Sequence, residues 1–300
     1  MKLSQLPASA GLDLAREGVF ENLGSLTNDM PALLTYLTAE RFLTELEVHP
    51  TAACVLTTPD LAGRVPDRLG VVTAADPRIA FFQLHNRLAL ETSFYGAIEP
   101  NEIADDAVID PTAWIASKGV RIGRRTRIEA RVSVFERTVI GDDCVIRSGV
   151  NVGVAGFEFK RLPGGAGILY VEHAGGVRLG DRVEIQGNSN VQPAIFGGYT
   201  EIGDDSKIDA LVHVGHNDKV GRRCLIAAGT TLSGNVLFGD DVWIGPGCVI
   251  SSGLRLGAGA HLTIGSVVTK DVGPGQRVTG NFAIPHERFI ANLKRTAAES

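Results

Sequence analysis

The seven histidines are the informative titratable residues of this 300-residue chain. An imidazole changes charge near neutral pH and can serve as an acid or a base. His213 and His216 bracket Val214 in the segment Leu211-Val212-His213-Val214-Gly215-His216-Asn217. A histidine-asparagine pair beside a glycine-rich stretch is expected to line a cleft, although a surface histidine is most often only that. His49 precedes a proline, and His85 and His286 fall in predicted helices, where structural roles are expected. Cys54, Cys144, Cys224 and Cys248 form no Cys-x-x-Cys pair, so the usual zinc spacing is missing.

Histidines at this spacing need a rigid frame, and the sequence supplies one. From Ile202 an apolar residue recurs at every sixth position: Ile202, Ile208, Val214, Val220, Ile226, Leu232, Phe238, Ile244, Ile250, Leu256, Leu262 and Val268. The block Ile122, Ile128, Val134, Ile140, Ile146, Val152 keeps the same step, as do Ile103 to Ile115 and Leu179 to Val191. Six is neither a helix period nor a strand alternation. It is the hexapeptide repeat of a parallel β-helix, in which three hexads make a triangular coil of about 18 residues and the apolar residue points inward. Small residues such as Gly203, Gly221 and Gly239 follow the repeat position and are expected to let the chain turn. Cys144, Cys224 and Cys248 each stand four residues after a repeat position, where packing is expected. His213 and His216 are off the inward positions and belong near the surface. His261 precedes a repeat position, at a coil edge.

The rest of the chain is organised around that coil. Residues 1–100 lack hexads. Leu33 to Leu46 reads as an amphipathic helix, Ala52 to Leu56 and Leu69 to Val72 as strands, and Pro77 to Leu90 as a second helix. This predicts a small α/β domain over 1–100, a β-helix over 101–280 and a helical tail over 281–300. The fold class is therefore all-β dominant. The period breaks over 153–178, which reads as a loop excursion, and slips at Phe196-Gly197-Gly198-Tyr199. His173 lies near the end of the excursion. Long loops on rigid scaffolds often carry function. Glycine makes up 36 residues, above the roughly 7% of average usage. Net charge is −5, so there is no basic footprint for nucleic acid. No apolar run is long enough for a transmembrane helix, and Met1-Lys2-Leu3-Ser4 lacks a signal-peptide core. The expected location is the cytoplasm.

An ordered set of motifs is more specific than the hexads. It comprises Leu26-Thr27-Asn28-Asp29 with Leu34-Thr35-Tyr36-Leu37, Asp76-Pro77-Arg78-Ile79-Ala80-Phe81, and Gly156-Phe157-Glu158-Phe159. Gly175 to Ile185, Lys207-Ile208-Asp209 and Val214-Gly215-His216-Asn217 follow. Together they resemble the UDP-3-O-(3-hydroxyacyl)glucosamine N-acyltransferases of lipid A biosynthesis, within the hexapeptide-repeat acyltransferase superfamily. The resemblance implies a left-handed coil and a homotrimer. It implies a 3-hydroxyacyl-acyl carrier protein donor, a nucleotide-linked amino sugar acceptor and no tightly bound cofactor. His216 would be the general base. Position 234 lies one 18-residue coil further on and holds Gly234, the candidate oxyanion donor. Asp209 is a candidate to orient a histidine or a substrate hydroxyl. Asn217, Phe157 and Phe159 are candidates for contacts with the acyl donor. Tyr36, Phe42 and His213 are candidates for nucleotide or substrate contacts. This chain departs from the family at two places. Its aromatic, Asn and Tyr at three-residue steps are Tyr36, Ala39 and Phe42 here, and a second histidine aligns with Gly253.

Two other readings stay open at this level. The stretch Ile244-Gly245-Pro246-Gly247 and the Val267 to Asn281 segment resemble sugar acetyltransferases, which points to acetyl-CoA or another short acyl-CoA as donor. A non-catalytic hexapeptide scaffold, or a zinc site of the hexapeptide carbonic anhydrase type, is the third. His213, His216 and His261 are available, but 45 residues separate the last two, which is not a multiple of 18. No metal site is expected in one subunit.

Overall fold

The computed structural model describes residues 1–6, 11–28, 30–280 and 285–298. Asp29 of the first motif and residues 281–284, 299 and 300 of the expected tail lie outside them. The N-terminal unit is a five-stranded sheet of β1 (Asp13–Arg16), β2 (Asn22–Leu23), β3 (Leu33–Tyr36), β4 (Ala52–Thr57) and β5 (Gly70–Thr73). Its order is β1-β5-β4-β3-β2, with only β1 antiparallel. Two short helices, α1 (Leu43–Val48) and α2 (Pro59–Ala62), lie between strands. The longer α3 (Pro77–Glu91) follows β5 and packs on β3 and β4. Asp76 caps α3 by accepting the Ile79 N–H at 3.0 Å, and Pro77 fits the first turn.

The expected helix over Leu33 to Leu46 is a correction. Leu33–Tyr36 is a buried strand between β2 and β4, and a 3₁₀ turn over Glu40–Phe42 leads into α-helix only at Leu43. A strand buried on both faces reads as a continuous apolar run, which periodicity cannot separate from a helix face.

From Glu102 the chain winds into a coil of three parallel sheets, with nine, eight and eight strands among the described residues. The repeat residues stack in register. Ile122, Ile140, Leu179, Ile202 and Val220 occupy one column, each 4% exposed or less. Full burial of such a side chain is worth about 1.5–3 kcal/mol. Cys144, Cys224 and Cys248 are buried and free in the same interior, and burial pushes the Cys144 thiol up to about 11.

The glycines after the repeat positions have a different cause from the expected one. Gly203 and Gly221 are not in the left-handed region. A Cβ on Gly221 would lie 2.3 Å from the Gly239 carbonyl oxygen, so close approach of successive coils demands glycine there. The turn is made two residues later, where left-handed φ recurs at Arg125, Arg131, Arg137 and Asp143. Pairs of these corner residues bridge adjacent coils, as Arg125 to Asp143 and Arg223 to Asp241.

The excursion folds as a hairpin, Phe159–Arg161 against Ile168–Tyr170. It docks on α3. Asn86 donates to the Tyr170 carbonyl at 2.6 Å and accepts the Glu172 N–H at 3.0 Å. His85 Nε2 donates to the Glu172 carbonyl at 2.8 Å, so its Nδ1 accepts the Tyr95 hydroxyl at 2.7 Å. Burial lowers the His85 pKa to about 4 and keeps this bridge neutral. The register slip serves the same interface. It carries Phe196 to within 4.9 Å of the His85 ring and 5.6 Å of the Phe81 ring. The tail is a helix, α4 (His286–Ala298).

Candidate active site

His213 opens one coil strand, beside Asn190 and Thr231. His216 follows at the next corner, with a side chain 14% exposed. Its Nδ1 is buried without a hydrogen-bond partner among the described residues. Burial lowers the His216 pKa, and the nearby Glu158 carboxylate opposes that shift. Burial likewise lowers His213. A neutral imidazole at pH 7 is a competent proton acceptor.

Gly234 lies where the 18-residue coil places it. A Cβ there would stand 3.0 Å from His216 Cε1 and Nε2, and its φ is +96°. Both facts require glycine. The Gly234 N–H makes no hydrogen bond among the described residues, while its carbonyl accepts from Ser252 Oγ at 2.8 Å. The glycine thus leaves open the space beside the imidazole that a side chain would fill.

The excursion closes the other side of the histidine. Phe157-Glu158-Phe159-Lys160 alternates as an extended chain does. Phe157 and Phe159 face outward, 87% and 43% exposed, with rings 4.8 Å apart. Glu158 and Lys160 face inward, with side chains 16% and 13% exposed. Glu158 Oε2 is 3.8 Å from His216 Nε2. Lys160 pairs with Glu158 and sets its Nζ 4.5 Å from the centre of the Phe82 ring. His173 is the fourth member. Its ring centre is 6.3 Å from that of His216, and burial drives its pKa to about 4. Sequence reading left Glu158 and Lys160 without a role, and the alternation of residues 157–160 was the signal that could have found them.

The other candidates divide. Tyr36, at the end of β3, packs on Phe81 and Phe82 with ring centres 4.9 and 5.8 Å away. Burial raises its phenol pKa, Arg78 opposes this, and Glu158 adds to it. Phe42 is not beside Tyr36. It packs on the separate core of Leu37, Leu46 and Val55. Asn217 holds the slipped loop, because its Oδ1 accepts the Ile195 N–H at 2.9 Å. It also lines a cleft of about 720 Å³ between the N-terminal unit and the coil, with Asn28, Met30, Lys219 and Arg255. Asp209 makes no hydrogen bond to a histidine among the described residues. Its carboxylate accepts the Ala210 and Ala228 N–H groups at 2.7 and 3.1 Å.

The coil and its repeats define a fold class, a left-handed β-helix of hexapeptide repeats. Residues 199–234 match "Bacterial transferase hexapeptide (six repeats)", and residues 119–153 and 236–270 match "Hexapeptide repeat of succinyl-transferase". Within that class the chain resembles UDP-3-O-acylglucosamine N-acyltransferases. It is 39% identical to the one from Caulobacter sp. (strain K31) over 158 residues, 53% of this chain and 46% of that protein. The chain thus spans about half the length of that relative. A Helicobacter pylori relative of the same name is 28% identical over 324 residues, covering 98% of this chain and 94% of its own. Among solved structures, the Francisella novicida UDP-N-acetylglucosamine acyltransferase is similar, with a TM-score of 0.55 and 25% identity. That likeness covers 65% of this chain and 70% of the other.

Proposed function

We propose that the chain is an N-acyltransferase. It would move an acyl group from a 3-hydroxyacyl-acyl carrier protein thioester to the amine of a UDP-linked acylated glucosamine, a lipid A type reaction. The observation that carries this reading is the place of Gly234 beside the buried His216 imidazole, where a Cβ would stand 3.0 Å from the ring, with a Gly234 N–H that has no hydrogen-bond partner among the described residues. The neutral amine attacks the thioester carbonyl, and the new N–C bond forms as its proton passes to His216 Nε2. The carbonyl oxygen becomes an oxyanion, which the Gly234 N–H receives. Collapse breaks the C–S bond, and the departing thiolate takes the proton back from His216. Candidates for holding the acceptor's nucleotide are Tyr36 and, in the cleft, Lys219 and Arg255. Phe157 and Phe159 form an exposed aromatic lip suited to an acyl chain or pantetheine arm. Asn217 acts here through the loop it holds, Asp209 through its corner, and His213 through its place beside the base.

The working assembly is a homotrimer in the cytoplasm. Leu225 and Trp243 lie about 40% exposed beside Lys207 and Asp209 in a shallow groove of about 260 Å³, an apolar face suited to a neighbouring copy. No helix among the described residues is long and apolar enough to cross a membrane. The test follows thiol release with UDP-3-O-acylglucosamine and either hydroxyacyl-carrier protein or acetyl-CoA, with light scattering for mass. Release that needs both acceptor and hydroxyacyl-carrier protein, from a particle of three chain masses, is expected. Acceptor-independent release, or none from either donor, would sink the reading.

A further inference from the structure

We infer that Glu158 is a carboxylate anchor for the ammonium group of the acyl acceptor, at a site that the chain's own Lys160 occupies. The inference rests on the N-acyltransferase reading and assigns a residue that selects amines over hydroxyls. His216 Nε2 and Gly234 mark where the reacting nitrogen must stand, and Glu158 Oε2 is 3.8 Å from that Nε2. Lys160 shows that the Glu158 carboxylate already takes a primary ammonium. The Glu158 carboxylate pairs with it, and the Phe82 ring centre lies 4.5 Å from it. Carboxylate and aromatic face together form the recognition set for such a cation. A buried ion pair is a weak source of stability, because desolvation offsets its attraction. Its presence beside the base is therefore better explained by recognition. Lys160 has a flexible four-carbon stem and can yield its place. The acceptor's ammonium then pairs with Glu158 and gives one proton to water. The neutral amine so formed turns to His216.

The test is calorimetric binding of UDP-glucosamine and UDP-glucose, which differ in amine against hydroxyl, to the wild type, Glu158→Gln and Lys160→Met. The wild type is expected to bind the amine about tenfold more tightly. Glu158→Gln brings the ratio to about one, and Lys160→Met widens it by removing the internal competitor. Equal affinities in the wild type, an unchanged ratio in Glu158→Gln, or weaker amine binding in Lys160→Met overturns the inference. Should a variant fail to fold, the wild-type ratio decides alone. Binding needs no thioester, so the two readings fail separately. Amine preference without acyl transfer overturns the proposed function, and acyl transfer without amine preference overturns the anchor.

Discussion

His216 is held by its surroundings in the state a base needs. Burial disfavours the imidazolium and Glu158 partly restores it, so the folded pKa lies below the ordinary value of about 6.5. The acid limb of the kcat/KM profile is accordingly expected below pH 6.5. A limb at or above that value would contradict the assignment. His216→Ala is expected to lower turnover about 10²–10⁴-fold with the far-UV circular dichroism unchanged. Retention of the wild-type rate would remove His216 from the mechanism. Gly234→Ala forces a Cβ to 3.0 Å from the imidazole at a φ of +96°. It should cost roughly tenfold or more in kcat, since both ring and N–H must move. The pairing of 216 with 234 was legible because the coil length is fixed. Glu158 was not, because its partner is 58 residues away across an irregular insert.

At the scale of elements, the coil carries one costly substitution. Asp218 stands four residues after Val214, the position that Cys144, Cys224 and Cys248 fill in other coils, and it is fully buried. One carboxylate oxygen accepts the Val236 N–H at 2.8 Å, and the other has no partner among the described residues. Burial pushes its pKa up from 3.8 to about 8. The folded chain therefore keeps a proton that the unfolded chain releases above about pH 4. The stability this gives is fully present below that value and is lost as pH rises through about 8. The thermal midpoint should fall over this window, and Asp218→Asn should flatten the fall. An equally steep fall in the variant would place its cause elsewhere. Hexad spacing made the coil readable from sequence, while the same apolar spacing misled at Leu33–Tyr36. There a fully buried strand and a helix face share a pattern, and only pairing with β4 separates them.

In the whole molecule, the N-terminal unit and the coil are joined through the excursion and the slipped loop. Phe196, 6% exposed, sits in the ring cluster of Phe81, Phe82 and His85. Phe196→Ala should cost about 3–5 kcal/mol of this docking. The measurable result is faster amide exchange across residues 157–171 and an N-terminal transition that separates from that of the coil. Unchanged exchange in the hairpin would show that Phe196 does not hold it. Because the hairpin carries Glu158 and Lys160, loosening it should also raise KM for the acceptor more than it lowers kcat.

The sequence by itself determined the coil, its stacking length, the burial of three cysteines and the place of Gly234 over His216. These follow from a strict period, in which each residue's environment repeats one coil away. Only the tertiary structure decided what faces the histidine from outside the period. The hairpin over 159–170, the Phe196 slip and the seat of Lys160 at the Phe82 ring depend on contacts with α3 that no local spacing encodes. Even the glycines changed meaning. In the sequence they mark corners, and in the structure Gly203 and Gly221 leave room for the next coil while Arg125, Asp143 and their equivalents make the turn.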